Sequence, residues 1–294
     1  MKLLVTGASG LFGSKLAETA LARNFEVYAG FSKDAVPYGI PVQFDISDKN
    51  QVDQAFETAK PDVVVHAATL TDVDKCELDK ALAWKINVEG TKNIAEATAR
   101  SGAFLVYIST DYVFNGEKGC YREDDLPDPI NYYGLTKLKA EETAKQYVPD
   151  CCIARASVIY GATPAAGKIN FALWLINKLK SGEKVKIVTD QWNSPTLNTS
   201  LADMTLDVVE RRLEGVFHLC GASRVSRYEF AMQIAQTFGL DTGLIEAVDS
   251  SSFKLPARRP VDSSLDTSKA QQLLKVKPLM LAAALAVLKQ ELAK

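Results

Sequence analysis

The sequence predicts an α/β protein in which a Rossmann-type, doubly wound parallel sheet is followed by a smaller C-terminal lobe. Short runs rich in β-branched residues alternate with helical stretches through the first half of the chain. A glycine-rich turn joins the first of these runs to the first helical stretch, and the alternation becomes irregular after Ser157. Together these observations favour a nucleotide-binding α/β core with an appended lobe.

The predicted strands are apolar on both faces, as buried strands of a parallel sheet are. They span residues 2–7, 26–31, 42–45, 62–68, 104–109 and 152–157. The helical stretches between them lie at 11–23, 48–59, 75–100 and about 132–147. Each is long enough to serve as a right-handed crossover between parallel strands.

The second half of the chain has a different rhythm. A Gly/Pro/Ala-rich loop at 160–168 precedes a helix at about 169–181 and a strand at 184–189. A strand at 216–221 and a helix at 226–239, with a Ser cap and a Gly stop, come next, and two helical stretches follow Thr267 and divide at Pro278. We predict an NADP-binding domain at 1–157, to which segments at about 196–220 return, and at 158–294 mainly a substrate-binding lobe with the C-terminal helices.

The composition excludes several classes of protein. A net charge of −2 and a pI near 5.9 provide no basic field for nucleic acid. The longest apolar run, at 279–288, is about half of the roughly 20 residues that span a bilayer, so we predict no membrane partner. The first residues lead directly into a strand, and we therefore expect a cytoplasmic protein.

Neither the cysteines nor the histidines form a metal-binding pattern. The five cysteines lack a CxxC pair, and His66 and His218 lie in separate apolar strand runs, where a structural role is expected. We predict no metal site. The sequence leaves the oligomeric state open, with a homodimer as one expectation.

The first strand runs into a G-x-x-G-x-x-G turn that opens a helix. Glycines there let the backbone approach a pyrophosphate, whose charge faces the amide groups at the helix N-terminus. The turn predicts a dinucleotide cofactor held by Gly7, Ser9, Gly10, Leu11, Phe12 and Gly13.

The end of the second strand indicates which dinucleotide binds. A site that prefers NAD normally has a carboxylate there for the ribose hydroxyls, whereas this chain has Ser32 and Lys33. A hydroxyl and an ammonium suit a 2′-phosphate, so we expect NADP(H). Asp34 follows at once, and NAD(H) stays open.

Tyr133 and Lys137 lie four residues apart on a predicted helix, and hence on one face. We expect the ammonium to lower the phenol pKa and make Tyr133 a usable proton donor. The strand at 104–109 ends at Ser109 and runs into Thr110, so both lie at the sheet edge where ligands bind in open α/β sheets. The glycine turn, the strand-end hydroxyls and the Tyr-Lys pair occur in the correct order at sensible intervals, and a chance coincidence of all three is much less probable than a chance match to one.

At these residues the sequence resembles the extended short-chain dehydrogenases/reductases, and within them the dTDP-4-dehydrorhamnose reductases. The resemblance extends over nearly the whole chain. Its motifs are GASGLFG (7–13), DISD (45–48), PDVVVHAA (61–68), STDYVF (109–114), INYYGLTK (130–137), DQWNSPT (190–196) and RRPVDSSLD (258–266).

The resemblance implies reduction of a nucleotide-activated 4-keto sugar by NADPH. Thr110 would orient the keto oxygen, Tyr133 would protonate it, and Lys137 would bind the nicotinamide ribose. Further cofactor contacts are implied for Asp45, Ile46, Ala67, Ala68, Thr69, Asn87 and Ser109. Substrate contacts are implied for Asp111, Tyr112, Asn170, Gln191, Trp192, Asn193, Arg258 and Arg259.

Other functions stay open at this point. The family usually carries Trp where this chain has Val158, so the sugar or the nucleotide can differ. A regulatory subunit similar to the methionine adenosyltransferase β subunit shares the fold and binds NADP. A nucleotide-sugar dehydratase or epimerase uses the same Tyr-Lys pair, but dehydratases carry an Asp-Glu pair where this chain has Asp111 and Tyr112.

Overall fold

The structure, a computed structural model, describes residues 1–163 and 169–293. Residues 164–168 of the predicted loop at 160–168 lie outside this description. Seven parallel strands form the central sheet, in the spatial order β11-β6-β5-β4-β1-β2-β3. They are β1 Lys2–Thr6, β2 Glu26–Phe31, β3 Ile40–Gln43, β4 Val63–His66, β5 Phe104–Thr110, β6 Cys152–Ala156 and β11 Gly215–His218. This sheet confirms the predicted doubly wound α/β fold.

The alternation of side chains along each buried strand supplies both faces of the sheet with apolar groups. Leu3 and Val5 of β1 point to one face and Leu4 points to the other. The first face packs against helices α1 (Leu11–Ala22) and α8 (Asn198–Arg211). The second packs against α2 (Lys49–Ala59), α5 (Gly90–Ser101) and α6 (Tyr132–Tyr147).

The stretch at 75–100, predicted as one helix, is divided. It consists of α3 (Val73–Leu78), α4 (Lys80–Trp84), a π-helical turn (Lys85–Glu89) and α5. Asp79 causes the first break, because it leaves helical geometry and its side chain caps α4 by accepting a 3.0 Å hydrogen bond from the Leu82 amide. The single predicted helix was therefore wrong in its continuity.

The remaining elements form a lobe with its own apolar core. Among the residues that the structure describes, it contains three pairs of short strands, with β9 and β12 antiparallel and the other two pairs parallel. The elements are β7 Ile159–Tyr160, α7 Phe171–Lys180, β8 Val185–Val188, β9 Trp192–Asn193, β10 Thr196–Leu197, β12 Val225–Ser226, α9 Arg227–Phe238, β13 Ile245–Val248 and α11 Leu281–Glu291.

The chain leaves the central sheet and returns to it. After β10, α8 packs on the α1 face and β11 pairs with β6. Helix α10 (Ser268–Leu273) then packs near β11. The domain division at residue 157 stays a prediction. In the described ranges, no helix combines the length and the apolar character needed to cross a membrane.

A buried ion pair fastens α6 to the sheet. Arg155 of β6 donates from Nε (2.9 Å) and Nη2 (2.8 Å) to Glu141 of α6, and Ser109 of β5 donates to the same carboxylate at 2.5 Å. The charged side chains are 3% and 2% exposed. A shift of α6 would separate the two groups and leave buried charges uncompensated, which is energetically costly. The pair therefore holds α6 in position against the strand ends.

We predict that Glu141→Leu lowers the free energy of unfolding by about 3–5 kcal/mol, since Arg155 then lacks its counter-charge. The double variant Glu141→Leu/Arg155→Met, which replaces both charges by apolar groups, is expected to recover at least half of that loss. Urea denaturation followed by circular dichroism measures both. A double variant no more stable than the single one would contradict this account.

Candidate active site

A cleft of about 830 Å³ opens at the carboxyl ends of the central strands. Strands β2 and β4 lie on opposite sides of β1, so the chain connections diverge there and leave a crevice. Most of the predicted cofactor residues line it. They are Gly7, Ser9, Gly10, Leu11, Phe12, Gly13, Ser32, Lys33, Asp45, Ile46, Ala67, Ala68, Thr69 and Ser109.

The glycine turn is packed too closely for side chains. Gly7 has a φ of +70°, and a Cβ there would lie 2.8 Å from the Ala68 amide nitrogen. A Cβ on Gly13 would collide with the Gly7 carbonyl oxygen. In the described chain no side chain caps the N-terminus of α1, so its first amide groups are available to an anion in the cleft. The turn therefore fits a pyrophosphate.

Ser32 and Lys33 border the same cleft and are both exposed. In the part of the chain that the structure describes, Asp34 is not among the residues lining the cleft. Phe44 packs under Gly30, where a Cβ would lie 2.7 Å from its ring. Lys33 thus brings a cation to this end of the cleft, which suits a phosphate better than a ribose hydroxyl, and Asp45 lines the cleft as well.

Tyr133, Lys137 and Thr110 meet in the cleft. Asn131 starts α6 by accepting a 2.8 Å hydrogen bond from the Gly134 amide, which brings Tyr133 into the first turn and Lys137 one turn later. The Thr110 hydroxyl lies close enough to the Tyr133 phenol to interact with it. All three side chains line the cleft although their residues are less than 10% exposed. A carbonyl oxygen beside Tyr133 could receive the phenolic hydrogen bond, and it could receive one from Thr110 if that hydroxyl turned away from Asp111.

Lys137 is buried and held by the backbone. Its Nζ donates to the Ile108 carbonyl oxygen at 2.7 Å and lies 4.2 Å from the centre of the Tyr107 ring. Burial lowers the Lys137 pKa to about 7, and the charge of Glu141 opposes that shift. A small change in surroundings can therefore change the charge of this amine near neutral pH.

The direction of the pKa shift of Tyr133 differs from the expectation. Burial raises the pKa of its phenol above the usual value, the Thr110 hydrogen bond acts against the shift, and Asp111 adds to it. The predicted lowering of the Tyr133 pKa was wrong for this structure, because burial, which disfavours the charged phenolate, is the largest cause of the shift. Tyr133 is consequently protonated at neutral pH, as a proton donor must be.

Asp111 is enclosed by hydroxyl groups. Its carboxylate accepts hydrogen bonds from Ser157 (2.8 Å), Ser263 (2.6 Å) and Thr110 (3.0 Å). Burial still raises its pKa above the ordinary value. Asp111 and Tyr112 both line the cleft, at the end where the C-terminal lobe closes over it.

Asn87, on the π-helical turn, supports the site from behind. Its amide oxygen accepts from the Thr69 hydroxyl (2.8 Å) and the Leu70 amide (2.7 Å), and its Nδ2 donates to Thr136 (3.0 Å). In the part of the chain that the structure describes, Asn87 does not itself line the cleft. It therefore connects the loop after β4 to α6 and holds the walls of the cleft together.

The predicted substrate residues are dispersed. Asn170 lines the cleft, and Gln191 lines a second cavity of about 420 Å³ beside it. In the described structure neither cavity is lined by Trp192, Asn193, Arg258 or Arg259. Asn193 is buried, Arg258 is exposed, and the Arg259 guanidinium binds the Asp74 carboxylate at 2.8 and 3.0 Å.

Comparison with known proteins decides the family. Residues 1–293 match the family described as RmlD substrate binding domain. The chain belongs to this family. A dTDP-4-dehydrorhamnose reductase of Aggregatibacter actinomycetemcomitans is 31% identical to it, over 94% of this chain and 94% of the relative. The predicted resemblance to extended short-chain dehydrogenases/reductases is thereby confirmed.

Two further comparisons bear on function. Methionine adenosyltransferase 2 subunit beta of Pongo abelii is 31% identical over 92% of this chain and 82% of its own length. The crystal structure of the Bacillus anthracis dTDP-4-dehydrorhamnose reductase in complex with NADP has a TM-score of 0.89 and 30% identity. It covers 99% of this chain and 100% of its own.

The structure adds two site residues that the sequence motifs did not identify, Lys85 and Arg227, which line the cleft. Val158, where the family usually carries Trp, lines it as well. Val158 has a φ of +40°, an outlier for a β-branched residue, and Thr196 fixes it by donating its amide to the Val158 carbonyl at 3.1 Å. No sequence signal marks this conformation. The signal for Arg227 is the Ser226 cap, which precedes it and places it at the start of α9.

We predict that Lys137→Met stabilises the protein without its cofactor by at least about 1 kcal/mol, because it removes a buried cation. The Lys137 pKa is about 7 in the folded state against an ordinary 10.5. The penalty is therefore complete below pH 7 and disappears as the pH rises toward 10.5, and the advantage of the variant should shrink over that range.

Urea denaturation at pH 6.5 and pH 9.5 measures this advantage. Lys139→Met is the matched control, because Lys139 is 43% exposed and its removal should change stability by less than about 0.5 kcal/mol at either pH. An advantage of Lys137→Met that stays constant between the two pH values would show that burial of the charge is not its cause.

Proposed function

We propose that the protein is an NADPH-dependent reductase of a nucleotide-activated 4-keto sugar, most similar to dTDP-4-dehydrorhamnose reductase. The observation that carries the proposal is that Thr110, Tyr133 and Lys137 open into the same cleft as the glycine turn. A proton donor thus lies within reach of a site shaped for a dinucleotide. The relatives named dTDP-4-dehydrorhamnose reductase, one of them solved with NADP, support this assignment.

The cofactor fits the cleft along its length. The turn at 7–13 would take the pyrophosphate, and Ser32 with Lys33 would take the 2′-phosphate. Asp45 and Ile46 would lie near the adenine, while Ala67, Ala68 and Thr69 would line the path toward the nicotinamide. When bound, NADPH supplies the hydride that reduces the carbonyl carbon.

The chain's own residues supply the proton. The Thr110 hydroxyl positions the keto oxygen, and Tyr133 transfers its phenolic proton to that oxygen as the carbon is reduced, so that C=O becomes CH–OH. Lys137 would bind the nicotinamide ribose. Its ammonium would also stabilise the phenolate left on Tyr133 until that group is reprotonated from solvent.

The substrate would enter from the side of the C-terminal lobe. Asp111, Tyr112 and Asn170 line the cleft there and would contact the sugar. The second cavity has aromatic and apolar walls that include Phe171, Trp174 and Val188, which suit a flat base. A nucleotide-sugar placed in this way spans both cavities.

We predict that Tyr133→Phe reduces kcat for NADPH oxidation with dTDP-4-dehydrorhamnose at least 100-fold, since general-acid catalysis contributes about 10²–10⁴-fold. NADPH binding should change little, because the ring is retained. Stopped-flow absorbance at 340 nm measures turnover, and fluorescence titration measures the NADPH Kd.

Tyr132→Phe is the matched control. Tyr132 is the neighbouring tyrosine, its ring lies under the Lys80 ammonium at 5.3 Å, and in the described chain it is not itself one of the residues lining the cleft. Its variant should keep wild-type turnover. Equal losses in the two variants would remove Tyr133 as the proton donor.

We also expect Lys33→Ala to raise the NADPH Kd about tenfold while leaving the NADH Kd unchanged, because a charge-assisted bond to the 2′-phosphate is lost. Parallel fluorescence titrations with the two cofactors provide the measurement. A wild type that prefers NADH would overturn the assignment of Ser32 and Lys33.

A second candidate function is a regulatory subunit that binds NADP without turnover. The identity to methionine adenosyltransferase 2 subunit beta favours it. Tight NADPH binding without reduction of any keto sugar would support this alternative over the reductase.

We place the protein in the cytoplasm. The thiols of Cys151 and Cys152 are buried, and burial raises the pKa of Cys151 to about 11, so these thiols are poor nucleophiles at neutral pH. That character suits a compartment in which thiols stay reduced. A homodimer remains a prediction.

A further inference from the structure

The two cavities of the site meet at Arg227. The cleft and the second cavity share Ile169 and Arg227 as lining residues. Among the lysines and arginines that the structure describes, Arg227 is the one that borders both. A ligand that reaches from Tyr133 into the second cavity must therefore pass its guanidinium.

Arg227 is held in place at this junction. It is the first residue of α9, and its amide donates to the Gln191 carbonyl at 2.9 Å. Ser226, which precedes it, and Glu229, which follows it, form a reciprocal capping box that fixes the start of the helix. The guanidinium lies 5.4 Å from the centre of the Phe171 ring. Stacking and backbone anchoring together restrict the side chain before any ligand binds.

The charge of Arg227 is poorly compensated. Its side chain interacts with the Tyr112 hydroxyl, which is neutral at physiological pH. Within residues 1–163 and 169–293, Arg227 forms no salt bridge. The buried Asp111 carboxyl is an acidic group that interacts with the Arg227 charge, and three hydroxyl groups already bond to that carboxyl. A fork of guanidinium donors is therefore available to an anion.

The other candidate cations are placed differently. Arg259 has its guanidinium on the Asp74 carboxylate and on the Ala257 carbonyl. Arg258 is exposed and, in the described chain, lines neither cavity. Lys186 borders only the second cavity, is 61% exposed and lies 3.9 Å from Glu246. None of these side chains is at the junction.

Building on the proposed function, we propose that Arg227 binds the diphosphate linking the nucleoside in the second cavity to the sugar in the cleft. Its planar fork can bond two phosphate oxygens at once, and bidentate pairing gives orientation as well as affinity. Arg227 thereby selects nucleoside diphosphates over nucleosides, and it fixes how far the sugar extends toward Tyr133.

The test compares dTDP with thymidine, which share a base and differ in the diphosphate. Binding is followed by quenching of Trp174, a wall of the second cavity, in the presence of NADP⁺. Wild type should bind dTDP about 10- to 100-fold more tightly than thymidine, as charge-assisted bidentate pairing allows. Arg227→Gln should reduce that ratio to about one with little change in thymidine affinity, whereas Arg227→Lys should keep part of it.

Arg122→Gln is the control for loss of an arginine charge, because Arg122 is 71% exposed, lines neither cavity of the described chain and should leave the ratio unchanged. Salt provides a check on the unmodified protein, in which raising NaCl from 50 to 500 mM should weaken dTDP but not thymidine. The proposal is overturned if Arg227→Gln still binds dTDP more tightly than thymidine by the wild-type factor, or if Arg258→Gln loses this preference instead. If Arg227 controls the ratio but no keto sugar is reduced, the reductase assignment fails and the diphosphate site stands.

Discussion

The site depends on the way α6 is pinned to the ends of β5 and β6. Two contacts do this: Lys137 reaches the Ile108 carbonyl, and one turn later Glu141 joins Ser109 to Arg155. Both contacts place charge where there is little water, so neither can shift without exposing or stranding an ion. The position of Tyr133 relative to Thr110 follows from this constraint, because Tyr133 lies on the first turn of the same helix.

This arrangement couples stability to chemistry. A phenol is kept protonated by the same desolvation that makes the neighbouring amine give up its proton more easily. A chain selected for stability alone would have an apolar residue in place of Lys137, and it would not bury the Asp111 carboxyl among hydroxyl groups. The retention of both groups in a buried cleft is the pattern expected where ionisable side chains serve a ligand.

The local features could be predicted from the sequence. The glycine turn and the Tyr-Lys spacing depend on neighbouring residues, and the parallel sheet follows from runs that are apolar on both faces. Features set by distant contacts could not. The hydroxyls around Asp111 come from Ser157 and Ser263, which are 46 and 152 residues away. Likewise, the direction of the Tyr133 pKa depends on burial, and the role of Arg227 depends on how two cavities join.

The π-helical turn at 85–89 has a consequence for how this architecture can vary. Such turns arise where a helix accommodates one extra residue, and they recur at functional sites. In an ordinary α-helix each residue advances by about 100°, so loss of that residue would rotate Asn87 out of reach of either Thr69 or Thr136. The loop after β4 and helix α6, which Asn87 joins, therefore restrict changes in the length of this helical segment. A homologue that keeps the Asn87 amide as a bridge must also keep the π-helical turn.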